Sequence, residues 1–136
     1  MRVRSSRSWI TGRSIHDWAK NAFASLRLPL TTCLPVLTEG FFLLRRQPVA
    51  LTRLFRHVAA GHFVDGLEFA ALAPRIMELM ETYQSVPISL ADACLVVMAE
   101  QTPDAKICTL DRDFLIYRQH GDQRLGLIAP FDASER

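Results

Sequence analysis

Four acidic residues stand where a carboxylate is chemically conspicuous: Glu39, Asp92, Asp111 and Asp113. Glu39 lies in LPVLTEGFFLLRR. At about 100° per residue it falls at the edge of an apolar stripe of Val36, Leu37, Gly40, Phe41, Leu43 and Leu44, from which a glutamate can also simply reach water. Asp92 lies in ISLADACLVV, and Ser89-Leu-Ala-Asp92 has the spacing of a capping box, in which the acid satisfies the first amides of a helix. That helix is apolar nearly all round, however, and Asp92 shares a face with Leu95, Val96 and Ala99. A carboxylate there must be paired, protonated or metal-bound, because an isolated buried charge is costly. Asp111 and Asp113 follow a short apolar strand in AKICTLDRDF. They suit a turn and a helix N-cap, and equally the carboxyl end of a parallel strand, where open α/β sheets hold their ligands.

Three separate segments therefore bring carboxylates towards one sheet edge. Clustered carboxylates repel unless a cation lies between them, and Mg²⁺ or Mn²⁺ is the cation that oxygen ligands of this kind select. Such a centre hydrolyses phosphodiesters, the metal activating water and stabilising charge that develops on the phosphate oxygens.

The elements that must position these acids follow from hydrophobic spacing. Ile15, Trp18, Ala19, Ala22, Phe23 and Leu26 predict an amphipathic helix over residues 15–26, and LPLTTC predicts a buried strand. Helices are expected over residues 34–46, with Pro35 in the first turn, and over residues 48–60, stopped by Gly61. HFVDGLEF reads as a short strand turning at Asp65-Gly66, and ALAPRIMELMETYQ as a helix with Ile76, Met77, Leu79 and Met80 inward. A helix over residues 89–101, a strand in AKICTL, a loop and short helix in DRDFLIYRQHG, and a last strand in LGLIAP complete the chain. Strands that alternate with helices, and lack apolar/polar alternation themselves, imply an α/β fold with a parallel sheet covered on both faces.

With 136 residues, 49% of them hydrophobic, the chain has the material for one packed core. No apolar run is long enough for a membrane span. Cys33, Cys94 and Cys108 lie among apolar neighbours without C-x-x-C spacing, and the four histidines form no zinc-type cluster. A cytoplasmic setting without zinc is the expectation. Residues 1–60 carry ten Lys/Arg against two acids, whereas residues 61–136 carry six against twelve. A basic half suits phosphates and an acidic half suits divalent metals, although a solvated arginine-rich surface would show the same asymmetry.

LTTCLPVLTEGFFLLRR, VPISLADACLVVMAEQ and AKICTLDRDFLIYR together resemble successive motifs of PIN-domain proteins, in particular VapC-type toxins. The resemblance covers residues 16–130. It implies a three-layer α/β/α sandwich with a central parallel sheet, a Mg²⁺- or Mn²⁺-dependent endoribonuclease activity, an RNA substrate, a cognate antitoxin and a possible homodimer. Carried over by position, Glu39, Asp92 and Asp111 are catalytic acids and metal ligands, Asp113 is an auxiliary ligand and Thr109 lies nearby. Arg45, Arg46, Arg53 and Arg56 would meet RNA phosphates. The resemblance also implies a first strand ending in an aspartate ahead of SIHDWA, and no acid precedes Asp17. The N-terminal strand is therefore missing or replaced, residues 1–15 forming an atypical Arg/Ser-rich segment and residues 16–136 the PIN-like domain. The start is displaced, or the chain is a remnant, or VRSSRSWIT stands in for the strand in a non-catalytic module that binds an antitoxin or itself. A sheet without its middle strand would leave backbone groups unpaired and apolar faces exposed, and poor solubility is expected to follow.

Overall fold

The computed structural model describes Trp18, residues 21–86 and residues 88–131. Expectations about residues 1–15 lie outside these. Trp18 and residues 21–25 are helical (α1), and β1 (Leu30–Thr32) leads through Cys33 into α2 (Leu34–Leu43) and then α3 (Pro48–Ala59). Both α2 and α3 carry a proline in the first turn, where no intrahelical N–H bond is lost. The helix expected to reach residue 46 ends at Leu43. Gln47 precedes Pro48, which disfavours helical backbone at Gln47, and its φ of −124° and ψ of 82° are not helical. After β2 (Phe63–Asp65) come α4 (Phe69–Thr82) and α5 (Leu90–Gln101). The chain finishes with β3 (Lys106–Cys108), a 3-10 turn at Arg112–Leu115, β4 (Arg118–Gln119), β5 (Gln123–Arg124) and β6 (Gly126–Ile128).

The strands form two parallel pairs and one antiparallel pair. In β1–β2, Leu30, Thr31 and Thr32 stand opposite Phe63, Val64 and Asp65; in β3–β6, Lys106, Ile107 and Cys108 stand opposite Gly126, Leu127 and Ile128. β4 and β5 make a hairpin that sequence spacing did not reveal, turning through His120 and Gly121, both at positive φ. In place of one central sheet, the described residues thus contain two separate two-stranded parallel sheets. The Gly66 N–H extends the first of them by bonding the Thr32 carbonyl at 2.9 Å. A Cβ at Gly66 would collide with Thr31 Cγ2, so only glycine fits that approach.

The core gathers around α5, whose Ala91, Asp92, Ala93, Cys94, Val96, Val97 and Ala99 are all buried, as an all-round apolar helix requires. α4 and α2 pack against it. On α4, Ile76 and Leu79 are buried and Met80 is half-buried, but Met77, expected inward, is 60% exposed. At about 100° per residue, positions 76, 79, 80 and 83 share one stripe and position 77 turns away from it. From α2 only Val36 is buried, and Leu43, expected on the apolar stripe, is exposed. Phe114, Tyr117 and Leu125 close the other side of the core.

α3 is amphipathic yet buries none of its residues. Its Phe55 ring meets Phe41 at 4.3 Å, and His57 faces His62 with 2.9 Å between their Nδ1 atoms. Between α3 and the β1–β2 pair runs an apolar groove of about 750 Å³, lined by Leu28, Val49, Leu54 and Phe63 among others. Among the described residues no helix is long and apolar enough to cross a membrane.

Candidate functional site

Asp92 and the cap of its helix have separate tasks. Ser89 is extended at φ −77° and ψ 161°, and its hydroxyl accepts the Asp92 N–H at 3.1 Å. The serine therefore caps α5 while the Asp92 side chain goes inward, where it is 0% exposed.

Asp111 is held by three backbone relationships. Thr109 donates its N–H to the Ile128 carbonyl at 3.0 Å, which fixes it against β6, and its hydroxyl accepts the Asp111 N–H at 2.9 Å. Asp111 Oδ1 then accepts the Asp113 N–H at 2.9 Å, capping the 3-10 turn. Asp111 and Thr109 are both fully buried, and Asp113 is half-buried. The Asp113 carbonyl accepts the Ile116 N–H at 2.9 Å, so the turn is bonded from end to end. Glu39 is half-buried on α2.

The structure links Asp111 to Asp113 through one hydrogen bond and sequesters Asp92 and Asp111 completely. Among the described residues it does not gather three or more His, Cys, Asp or Glu side chains into a group that could hold a metal ion. Mg²⁺ takes near-octahedral oxygen coordination and keeps several of its waters, and a pair of fully buried carboxylates does not by itself provide that.

Next to Asp92, Cys94 shares a hydrogen bond with Cys33, and that bond together with burial pushes its thiol far above the ordinary range. Burial likewise raises Cys108. Cys33 and Cys94 are small core residues, as their apolar neighbours suggested, whereas Cys108, expected to be buried too, is half-buried at the end of β3. Arg45, Arg46, Arg53 and Arg56 are all exposed. Arg45 is held in place, its Nη1 donating to the Phe42 carbonyl at 2.8 Å and its guanidinium lying 3.9 Å above the Phe42 ring.

Sequence reasoning missed a second polar cluster, where α4, α5 and the hairpin meet. Arg75 forks onto Glu100, Nε to Oε1 at 3.0 Å and Nη2 to Oε2 at 2.8 Å, while its Nη1 reaches Glu78 at 2.7 Å. The His120 N–H donates to Glu100 Oε2 at 2.6 Å. Burial pushes the Glu100 carboxyl up, but the Arg75 and His120 hydrogen bonds and the Arg75 charge outweigh it and hold the group below the usual carboxylate range. Its one signal in the sequence is a lone glutamate at the end of the apolar run LVVMAEQ.

Fold and site together define a mixed α/β protein with small parallel sheets and two sequestered aspartates. Compared with models of known protein families and with curated proteins, the chain matches none.

Proposed function

We propose that this chain is a PIN-like domain of the VapC toxin type that works by binding, as a non-catalytic interaction module for a cognate antitoxin or a second copy of itself in the cytoplasm. The observation that carries this reading is the complete burial of both Asp92 and Asp111. A metal that activates water against an RNA phosphodiester must be reached by both water and substrate, and carboxylates sealed in a core offer it no such access. Helix α5 supplies the A-D-A-C segment and the stretch from the end of β3 into the 3-10 turn supplies T-L-D-R-D-F, the segments on which the resemblance rests, and a mixed α/β arrangement is compatible with a PIN-like sandwich.

The second reading is the Mg²⁺- or Mn²⁺-dependent endoribonuclease itself. It is favoured by the placement of Asp92 at the head of α5 and of Asp111 just beyond β3, with Asp113 hydrogen-bonded to Asp111. In that reading Glu39, Asp92, Asp111 and Asp113 would hold the ion, and the ion would supply Lewis acidity to the phosphate and lower the pKa of its water. The exposed Arg45 and Arg46 just after α2, and Arg53 and Arg56 of α3, would meet the RNA backbone.

Calorimetric titration with Mn²⁺, run beside an RNA-cleavage assay in Mg²⁺, separates the two. The binding reading predicts no millimolar-or-better Mn²⁺ site that depends on Asp92, and no Mg²⁺-dependent cleavage. Heat of Mn²⁺ binding that disappears in Asp92→Asn, together with cleavage lost in the same variant, establishes the nuclease instead.

A further inference from the structure

The last turn of α3 closes in a way that sets two imidazoles against each other. Gly61, at φ 78°, takes the left-handed conformation that ends a helix; its N–H bonds the Val58 carbonyl at 3.0 Å, and the His62 N–H bonds the His57 carbonyl at 3.0 Å. This double tie brings the side chains of residues 57 and 62 together, a contact that is ordinarily apolar. Here both are histidines, with 2.9 Å between their Nδ1 atoms and 5.2 Å between ring centres. The His62 carbonyl accepts the Leu30 N–H at 2.8 Å, so its backbone is fixed both to the helix and to β1.

Two imidazoles that meet through their nitrogens share one proton, one ring donating and the other accepting. A metal ion can take the place of that proton, both nitrogens then serving as lone-pair donors. With metal–imidazole distances of about 2.0–2.1 Å, nitrogens 2.9 Å apart subtend about 90° at the ion, each ring tilting by about 45° to aim at it. A tetrahedral ion would need the nitrogens about 3.3–3.4 Å apart. A right angle is the cis angle of square-planar and octahedral centres, the geometry of Cu²⁺ and Ni²⁺, and imidazole suits both. The pair stands at the C-terminal end of α3, whose carbonyl dipoles favour a cation. Arg53, which lines the same groove as both histidines, opposes a bare cation and suits an anion as a further ligand. Among the described residues no third His, Cys, Asp or Glu completes the group, which leaves its other positions to water or such an anion.

We propose that His57 and His62 form a two-nitrogen chelate for a divalent transition metal of tetragonal preference, Cu²⁺ or Ni²⁺, open at its remaining positions to water or a small anion. The glycine-terminated helix end supplies the preorganisation, since it holds the two ligands together before any metal arrives. Imidazole rather than carboxylate ligands set this site apart from a Mg²⁺ or Mn²⁺ centre at Asp92, and the two stand or fall separately.

Calorimetric titration of the untagged full chain with NiCl₂ tests it. Ni²⁺ should bind at a site whose affinity falls about a hundredfold in His57→Phe and in His62→Phe, each of which keeps a ring contact at the helix end but turns a two-point site into a one-point site. Zn²⁺ should bind there more weakly than Ni²⁺, and His120→Ala should change nothing. Electron spin-echo spectra of the parent chain with one equivalent of Cu²⁺ should show two coordinated imidazoles, a readout that does not depend on how a variant folds. Nickel affinity that survives either Phe variant, Zn²⁺ bound more tightly than Ni²⁺, affinity lost in His120→Ala, or a copper spectrum with fewer than two imidazoles overturns the proposal.

Discussion

The two halves of this chain use similar amounts of apolar sequence to different effect. From residue 72 onwards the apolar residues converge on α5, and Ile76, Leu79, Val96, Val97, Phe114 and Tyr117 are almost completely enclosed. Before residue 60 only Thr32, Cys33 and Val36 are buried among the described residues, while Leu34, Phe42, Val49 and Phe55 stand exposed. The difference does not lie in local pattern, because α3 is a well-formed amphipathic helix. It lies in the supply of partners: α5 has neighbours on several sides, whereas α3 faces the groove beside β1 and β2. An amphipathic stripe identifies which face a helix would bury, and a second element must exist to bury it.

Substitutions can break this contrast, and their effects should descend in order. Phe114→Ala, which empties a site 1% exposed, is expected to cost about 3–5 kcal/mol in urea unfolding. Glu100→Gln should cost ~1–3 kcal/mol, since it removes charge-assisted bonds to Arg75 and the His120 N–H. Because the folded-state pKa of Glu100 is depressed, its contribution is fully present above the unfolded carboxylate pKa of about 4.3 and is lost as the pH falls through the lower folded value. A melting series from pH 6 to pH 3 should therefore show an acid-side loss in the parent chain that is shallower in Glu100→Gln. Ser89→Ala removes the side-chain cap of α5 and should cost about 1 kcal/mol. Val49→Ala on α3, at a site 67% exposed, should stay within about 0.5 kcal/mol. If Val49→Ala proves as costly as Phe114→Ala, the first half has a packing partner in solution that the contrast leaves out.

The sequence was most legible where local chemistry decides. Pro48 marked the start of α3, Ser89 marked the head of α5, and the runs of short apolar residues marked β1, β3 and β6. The capping and burial readings of Asp92 turned out to belong to two residues, Ser89 taking the amide and Asp92 the interior. Asp111 likewise proved to be both a cap and a buried acid. What spacing did not convey was long-range pairing. The β4–β5 hairpin depends on contacts of its turn with Glu100, twenty residues away, and no local signal marks those. The division of the sheet into two pairs is a fact about which edges meet, and strand patterns carry information about faces only. Met77 was misplaced because adjacent apolar residues on a helix cannot all face one side.

The clip between Glu100 and the hairpin has a consequence for the accuracy of the fold. β3 and β6 run in the same direction, so the chain must travel back past its own starting point before β6 begins, a return that is usually made by a helix. Here it is made by a 3-10 turn and a two-stranded hairpin, and its effective length is set where the His120 N–H meets Glu100 and the Arg118 N–H meets the Tyr83 hydroxyl at 2.9 Å. With both ties in place the return path has one length. With them gone, β6 could slide by a residue against β3, which would carry Leu127 to the opposite face of the sheet. A carboxylate at the end of one helix thus measures out the chain for a strand pair it does not touch.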